Sequence, residues 1–161
     1  MDTSQVTAIQ VIQAMLAPGL GISAVGLLLL GLSSRYSTIV NRIRLLNDEK
    51  RRYMKTLAEG RVLEYADNVR YMSVRNQTEG LMMRSRLVRN AILSMQTAIG
   101  LFVVTSLGIG ISLFTHSEFV RDGSLVVFLT AMVAVLVGII YAGIEVRRSY
   151  RIVLLEVRSD E

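Results

Sequence analysis

The sequence predicts an all-α membrane protein. Three transmembrane helices are expected, the first two extended into a cytoplasmic antiparallel helical hairpin, with the chains assembling as a homo-oligomeric bundle. Three observations lead there. Three apolar stretches are each long enough to cross about 30 Å of hydrocarbon. Thirteen of the 18 basic residues lie between the first stretch and the second. That intervening segment has no proline and only two glycines, Gly60 and Gly80. The 161 residues form one unit, 1–161, rather than two domains.

The first stretch, 11–32, reads VIQAMLAPGLGISAVGLLLLGL and carries no charge. Pro18 lies about two turns inside it; membrane helices tolerate proline, and a kink is expected there. The residues before it include Asp2 and no Lys or Arg, so a retained span is expected rather than a cleavable signal peptide. The second stretch, 91–114, is AILSMQTAIGLFVVTSLGIGISLF, also uncharged. The third, 125–146, is LVVFLTAMVAVLVGIIYAGIEV, uncharged until Glu145. Three such stretches rarely occur together in a soluble domain.

Segment 33–90 reads as helix. Tyr36, Ile39, Val40, Ile43 and Leu46 follow a 3-4 spacing that resumes at Tyr53, Met54 and Leu57. Asp48 precedes Arg52 by four residues, the favourable order for a helical ion pair. The first helix is therefore expected to run on to about Ala58 as a single rod. The chain turns near residue 60 and returns as a second helix that feeds the second span. The two would bury their apolar stripes against each other, as a coiled coil, or against neighbouring subunits. Segment 115–124 is expected to be an outer loop and 147–161 a tail.

Sidedness follows from charge. Segment 33–90 and the tail share 17 of the 18 Lys and Arg residues; Arg121 alone lies in the second loop. With three spans these two segments share a side, and the positive-inside rule makes it cytoplasmic. The expected location is the bacterial inner membrane, with the N-terminus outside. Topology thus accounts for the net charge of +5, and no nucleic-acid partner is expected.

The chain has no cysteine and one histidine, His116. Thiol chemistry and histidine-rich metal sites are thereby excluded, and no phosphate-binding loop or Ser-His-Asp set is present. No catalytic residue, cofactor or metal is expected, and the chain is not read as an enzyme. The expected partners are membrane lipids, further copies of the chain and a cytoplasmic protein.

Small residues recur at four-residue spacing: Gly19 with Ser23, Ser106 with Gly110, and Ala134, Gly138 and Ala142. They are candidates for close helix packing, within the chain or between copies. Ser33, Ser34, Arg35, Thr38, Asn41 and Arg42 follow the first span directly. In an oligomer they would form an inner pore mouth, or else contact lipid phosphate. Glu145 is a candidate intramembrane acid. Its simpler reading is a pair with Arg148, three residues on, or an escape to the interface.

Taken together, GISAVGLLLLGLSSRYSTIVNRIRLLNDEKRR, RSRLVRNAILSMQTAIGLFVV and the last span ending at Glu145 resemble a known family. It is the set of small bacterial membrane proteins catalogued as domain-of-unknown-function family 2721. The similarity covers most of residues 20–147. It implies three spans with a cytoplasmic helical segment and no particular activity, so no functional residue carries over. The expected function is an oligomeric ion channel or pore lined by the first span, because a polar mouth follows it directly; the alternative is a scaffold whose hairpin binds a protein partner or anionic lipid.

Overall fold

The computed structural model describes residues 8–59, 65–115 and 118–159. They form three long helices: α1 (Ala8–Ala58), α2 (Tyr65–Thr115) and α3 (Glu118–Ser159). Helices α1 and α2 each hold 51 residues, about 76 Å at 1.5 Å per residue. Pro18 sits inside α1 without ending it. The turn expected near residue 60, and His116, lie outside the described residues.

α2 occupies the middle and packs along both neighbours, whereas α1 and α3 meet only marginally. α1 and α2 run antiparallel. Met15 approaches Gly110, Gly21 meets the Phe102 ring, and Glu49 bonds Arg70.

The α1–α2 seam is built from large apolar side chains at seven-residue intervals. Val25, Leu32, Ile39 and Leu46 are buried on α1; Val74, Val88, Met95 and Phe102 are buried on α2. Ile22, Leu29, Tyr36 and Ile43 fill the alternate positions. The seam does not change character where the first apolar span ends at Leu32. This explains why the helix continues: its buried face keeps one period while its exposed face turns from apolar to charged.

The α2–α3 seam differs. Ala91, Ala98 and Thr105 of α2 are buried, as are Ser124 and Ala131 of α3. Gly138 lies a further seven residues along, where an added Cβ would sit 3.1 Å from Met95. With so little side chain between them the backbones come close, and Ser94 Oγ donates to the Ala134 carbonyl at 2.7 Å. The stripe Ala134, Gly138 and Ala142 is thus used within the chain.

The expected outer loop at 115–124 is shorter than its polarity indicated. α3 begins at Glu118, an acidic residue in the first turn, where the helix dipole favours it. The expected tail at 147–161 is likewise helical as far as Ser159.

Near the far end of the hairpin, Arg70 Nε donates to Glu49 Oε1 at 2.8 Å and Nη2 to Oε2 at 3.4 Å. The Arg70 hydrogen bond, reinforced by its charge, holds the Glu49 carboxyl below the usual carboxylate range, against a smaller upward push from burial. A lowered folded pKa means stabilisation that is present above the ordinary carboxylate range and lost as pH falls through the lowered value. The pair is exposed, so the effect is local. Spin labels at Thr56→Cys and Asn68→Cys should show a broader distance distribution on acidification below the carboxylate range. Glu49→Gln should flatten that response; an unchanged response would show that another group governs it.

Exposed Leu27, Leu30, Leu107, Leu125 and Leu136 would be costly in water. All three helices contain an apolar window long enough to cross a bilayer. The chain is a multi-pass membrane protein.

Candidate functional site: a charge cluster joining three helices

α3 presents Ser124, Ala131, Gly138 and then Glu145 at seven-residue intervals. Glu145 therefore takes a seam position that the preceding turns fill with small residues. Its side chain is 5% exposed. A carboxylate so placed needs partners, because desolvating it alone is expensive.

Arg84 of α2 supplies them. Its Nε and Nη2 donate to Glu145 Oε1 at 3.2 and 2.9 Å. From α1, Arg35 Nη1 stands 3.9 Å from Glu145 Oε2, an ion pair rather than a hydrogen bond. Arg84 is 31% exposed and Arg35 60%. The carboxylate thereby connects all three helices, including α1 and α3, which barely meet.

Beside the cluster lies an open pocket of about 380 Å³. It is lined by Ser34, Arg35, Thr38 and Ile39 of α1, Arg84 of α2 and Glu145 of α3. Thr38 Oγ1 donates to the Ser34 carbonyl at 3.1 Å. The pocket sits where the apolar stretches end. Arg35 is three residues past Leu32, Glu145 directly follows Ile144, and Arg84 is seven residues before Ala91. This is the depth at which guanidinium groups meet lipid headgroups.

The residues expected at an inner mouth are therefore divided. Ser34, Arg35 and Thr38 share the pocket between α1 and α3. Ser33, Asn41 and Arg42 are exposed and do not line it. At about 100° per residue, Ser33 is turned well away from Arg35 and Thr38, whereas Asn41, seven residues from Ser34, lies on the same side as Ser34. Arg42 points to the same side as Arg35, two turns further on.

The packing candidates are divided too. Gly138 meets Met95, and the Cβ position of Gly110 lies 3.8 Å from Met15 Cε; Ser106 is half-buried. Gly19 has open space around it among the described residues, and Ser23 is exposed.

The pair expected between Glu145 and Arg148 falls on a side chain outside the described residues. Among the described residues the Glu145 carboxylate meets Arg84 and Arg35, 61 and 110 residues away in the chain. Arg84 was not singled out from the sequence at all. Its one signal was to be a basic residue within two turns of the second span, a trait Arg86 and Arg89 share.

Comparison with curated proteins and with solved structures gives no match. Residues 15–155 match a single family across the spans, the hairpin and the charge cluster alike. The chain belongs to the family described as "Protein of unknown function (DUF2721)".

Proposed function

We propose that this protein is an inner-membrane scaffold that holds a stiff helical hairpin in the cytoplasm and presents it to a protein partner. One observation carries the reading. The α1–α2 seam runs without a break from Val25 and Leu32 to Ile39 and Leu46, and the Arg35–Arg84–Glu145 cluster fastens α3 to it at the boundary. A hairpin so rooted, paired in the manner of a coiled coil, projects as one body. From Ser33 to Ala58 it extends about 39 Å beyond the span.

Charge supports the cytoplasmic side, through the 17 of 18 basic residues on the hairpin and tail. The hairpin also exposes Leu45, Met72 and Met82. Methionine-rich surfaces adapt to the shape of a partner.

A pore is the second reading, favoured by the free edge of α1. Gly19, Ser23 and Ser33 are exposed there, and nothing lies within 4 Å of the Gly19 Cβ position among the described residues. Copies meeting along this edge would make the expected homo-oligomer. The pore reading loses its ring of arginine, however, because Arg35 is turned toward α3.

Two measurements separate the readings. A photo-crosslinking residue in place of Leu45 or Met72, in the full chain in cells, should give a discrete protein adduct that Met72→Glu weakens. The purified chain in liposomes should pass no ions beyond the empty-vesicle level. Ion flux suppressed by Ser23→Leu or Ser33→Leu, with no adduct from the hairpin, would replace the scaffold by the pore.

A further inference from the structure

We propose that the pocket between α1 and α3 binds the phosphate of an anionic phospholipid, held by Arg35 and Arg84. This inference stands apart from the docking role of the hairpin.

The charges point to an anion. Two guanidinium groups face one carboxylate, leaving the pocket with one net positive charge. Glu145 engages Arg84 through Nε and Nη2 and so fixes that side chain in place. A guanidinium carries five N–H donors, so Arg84 has others to offer. Arg35 is 60% exposed and stands beyond hydrogen-bond distance from Glu145, so its fork is available to an incoming phosphate oxygen. The Ser34 hydroxyl shares the same wall. A cation would meet two like charges in this place.

Position and shape select a lipid. The pocket lies at the headgroup depth of all three apolar stretches. It opens between two helices that scarcely touch, so the hydrocarbon has access from the side. One turn toward the span from Arg35 is Gly31, whose missing side chain leaves nothing within 4 Å of its Cβ position among the described residues. Leu28, half exposed one turn deeper, offers apolar surface to an acyl chain. A phosphate seated between the guanidinium groups would thus keep its glycerol and chains in the bilayer.

The test uses the full chain, purified in detergent, with native mass spectrometry of retained lipid. Phosphatidylglycerol is offered against phosphatidylcholine. Wild type should retain phosphatidylglycerol about tenfold better, the worth of roughly one charge-assisted contact. Arg35→Gln, at an exposed position that leaves the Arg84–Glu145 pair whole, should remove that preference. Arg44→Gln, exposed and on the other side of α1, should keep it. Displacement of the lipid by excess inorganic phosphate would overturn the lipid assignment in favour of a free-anion site. Equal losses in the two variants, or equal retention of the two lipids by wild type, would overturn the site itself.

Discussion

Arg84→Ala should destabilise the three-helix bundle by about 3 kcal/mol, the lower end of what breaking a buried ion pair costs. The lower end applies for two reasons. Arg84 keeps a third of its side chain exposed, and Arg35 is near enough to move onto the orphaned carboxylate. The damage comes from Glu145, left charged at 5% exposure inside the α2–α3 seam. Glu145→Leu should cost less, about 1 kcal/mol, because an unpaired Arg84 can extend toward headgroups. The double variant Arg84→Leu/Glu145→Leu should lie close to wild type, since paired charges and well-packed apolar side chains are often equivalent. Detergent-denaturation free energies for the four proteins complete the cycle. Costs that simply add would mean that the two charges act separately and that the cluster does not fasten α3.

Gly138→Leu should strongly disrupt the α2–α3 seam. Even a Cβ there would lie 3.1 and 3.2 Å from Met95 and 3.4 Å from the Ala91 carbonyl oxygen. Met95 is 1% exposed and has no solvent to swing into, and the carbonyl belongs to the α2 backbone. α3 must therefore move away, stretching the Ser94–Ala134 hydrogen bond. Overpacking of this kind costs about 1–3 kcal/mol. Gly138→Ala should lose less, because the Met95 methyl can yield a few tenths of an ångström. Gly19→Leu is the informative contrast. With nothing within 4 Å of the Gly19 Cβ position among the described residues, its unfolding free energy should change by under about 0.5 kcal/mol. If copies associate along that edge of α1, the same variant should still shift the protein toward monomer in sedimentation. A monomeric wild type would remove that role from Gly19 and Ser23.

Periodicity explains which parts of this fold are legible in the sequence. The 51-residue α1 could be read because Ile22, Val25, Leu29, Leu32, Tyr36, Ile39, Ile43 and Leu46 keep one spacing across the change from apolar to charged surroundings. That pattern is local. The loop at 115–124 was overestimated because THSEFVRDGS is polar, and polarity alone does not distinguish a loop from an exposed first helical turn. The charge cluster is long-range. Nothing in the spacing of Arg84 tells it apart from Arg86 or Arg89, and only the packing of α2 between its neighbours selects the one that reaches Glu145. Similarly, the six polar residues after the first span look like one group in sequence. Helical geometry turns Ser33 away from Arg35 and Thr38 and keeps Asn41 on the side of Ser34, and of the six only Ser34, Arg35 and Thr38 line the pocket.

The scaffold reading depends above all on α1 and α2 leaving the membrane together, on the cytoplasmic side, as one hairpin. The chain has no cysteine, so any introduced thiol is the sole one. Asn47→Cys and Asn76→Cys lie on the hairpin, and Arg121→Cys near the start of α3. A membrane-impermeant maleimide should label the two hairpin thiols in inverted vesicles and not in intact cells, and the Arg121→Cys thiol only in intact cells. Labelling of all three from one face, or of the two hairpin thiols from opposite faces, would contradict the hairpin and the scaffold built on it.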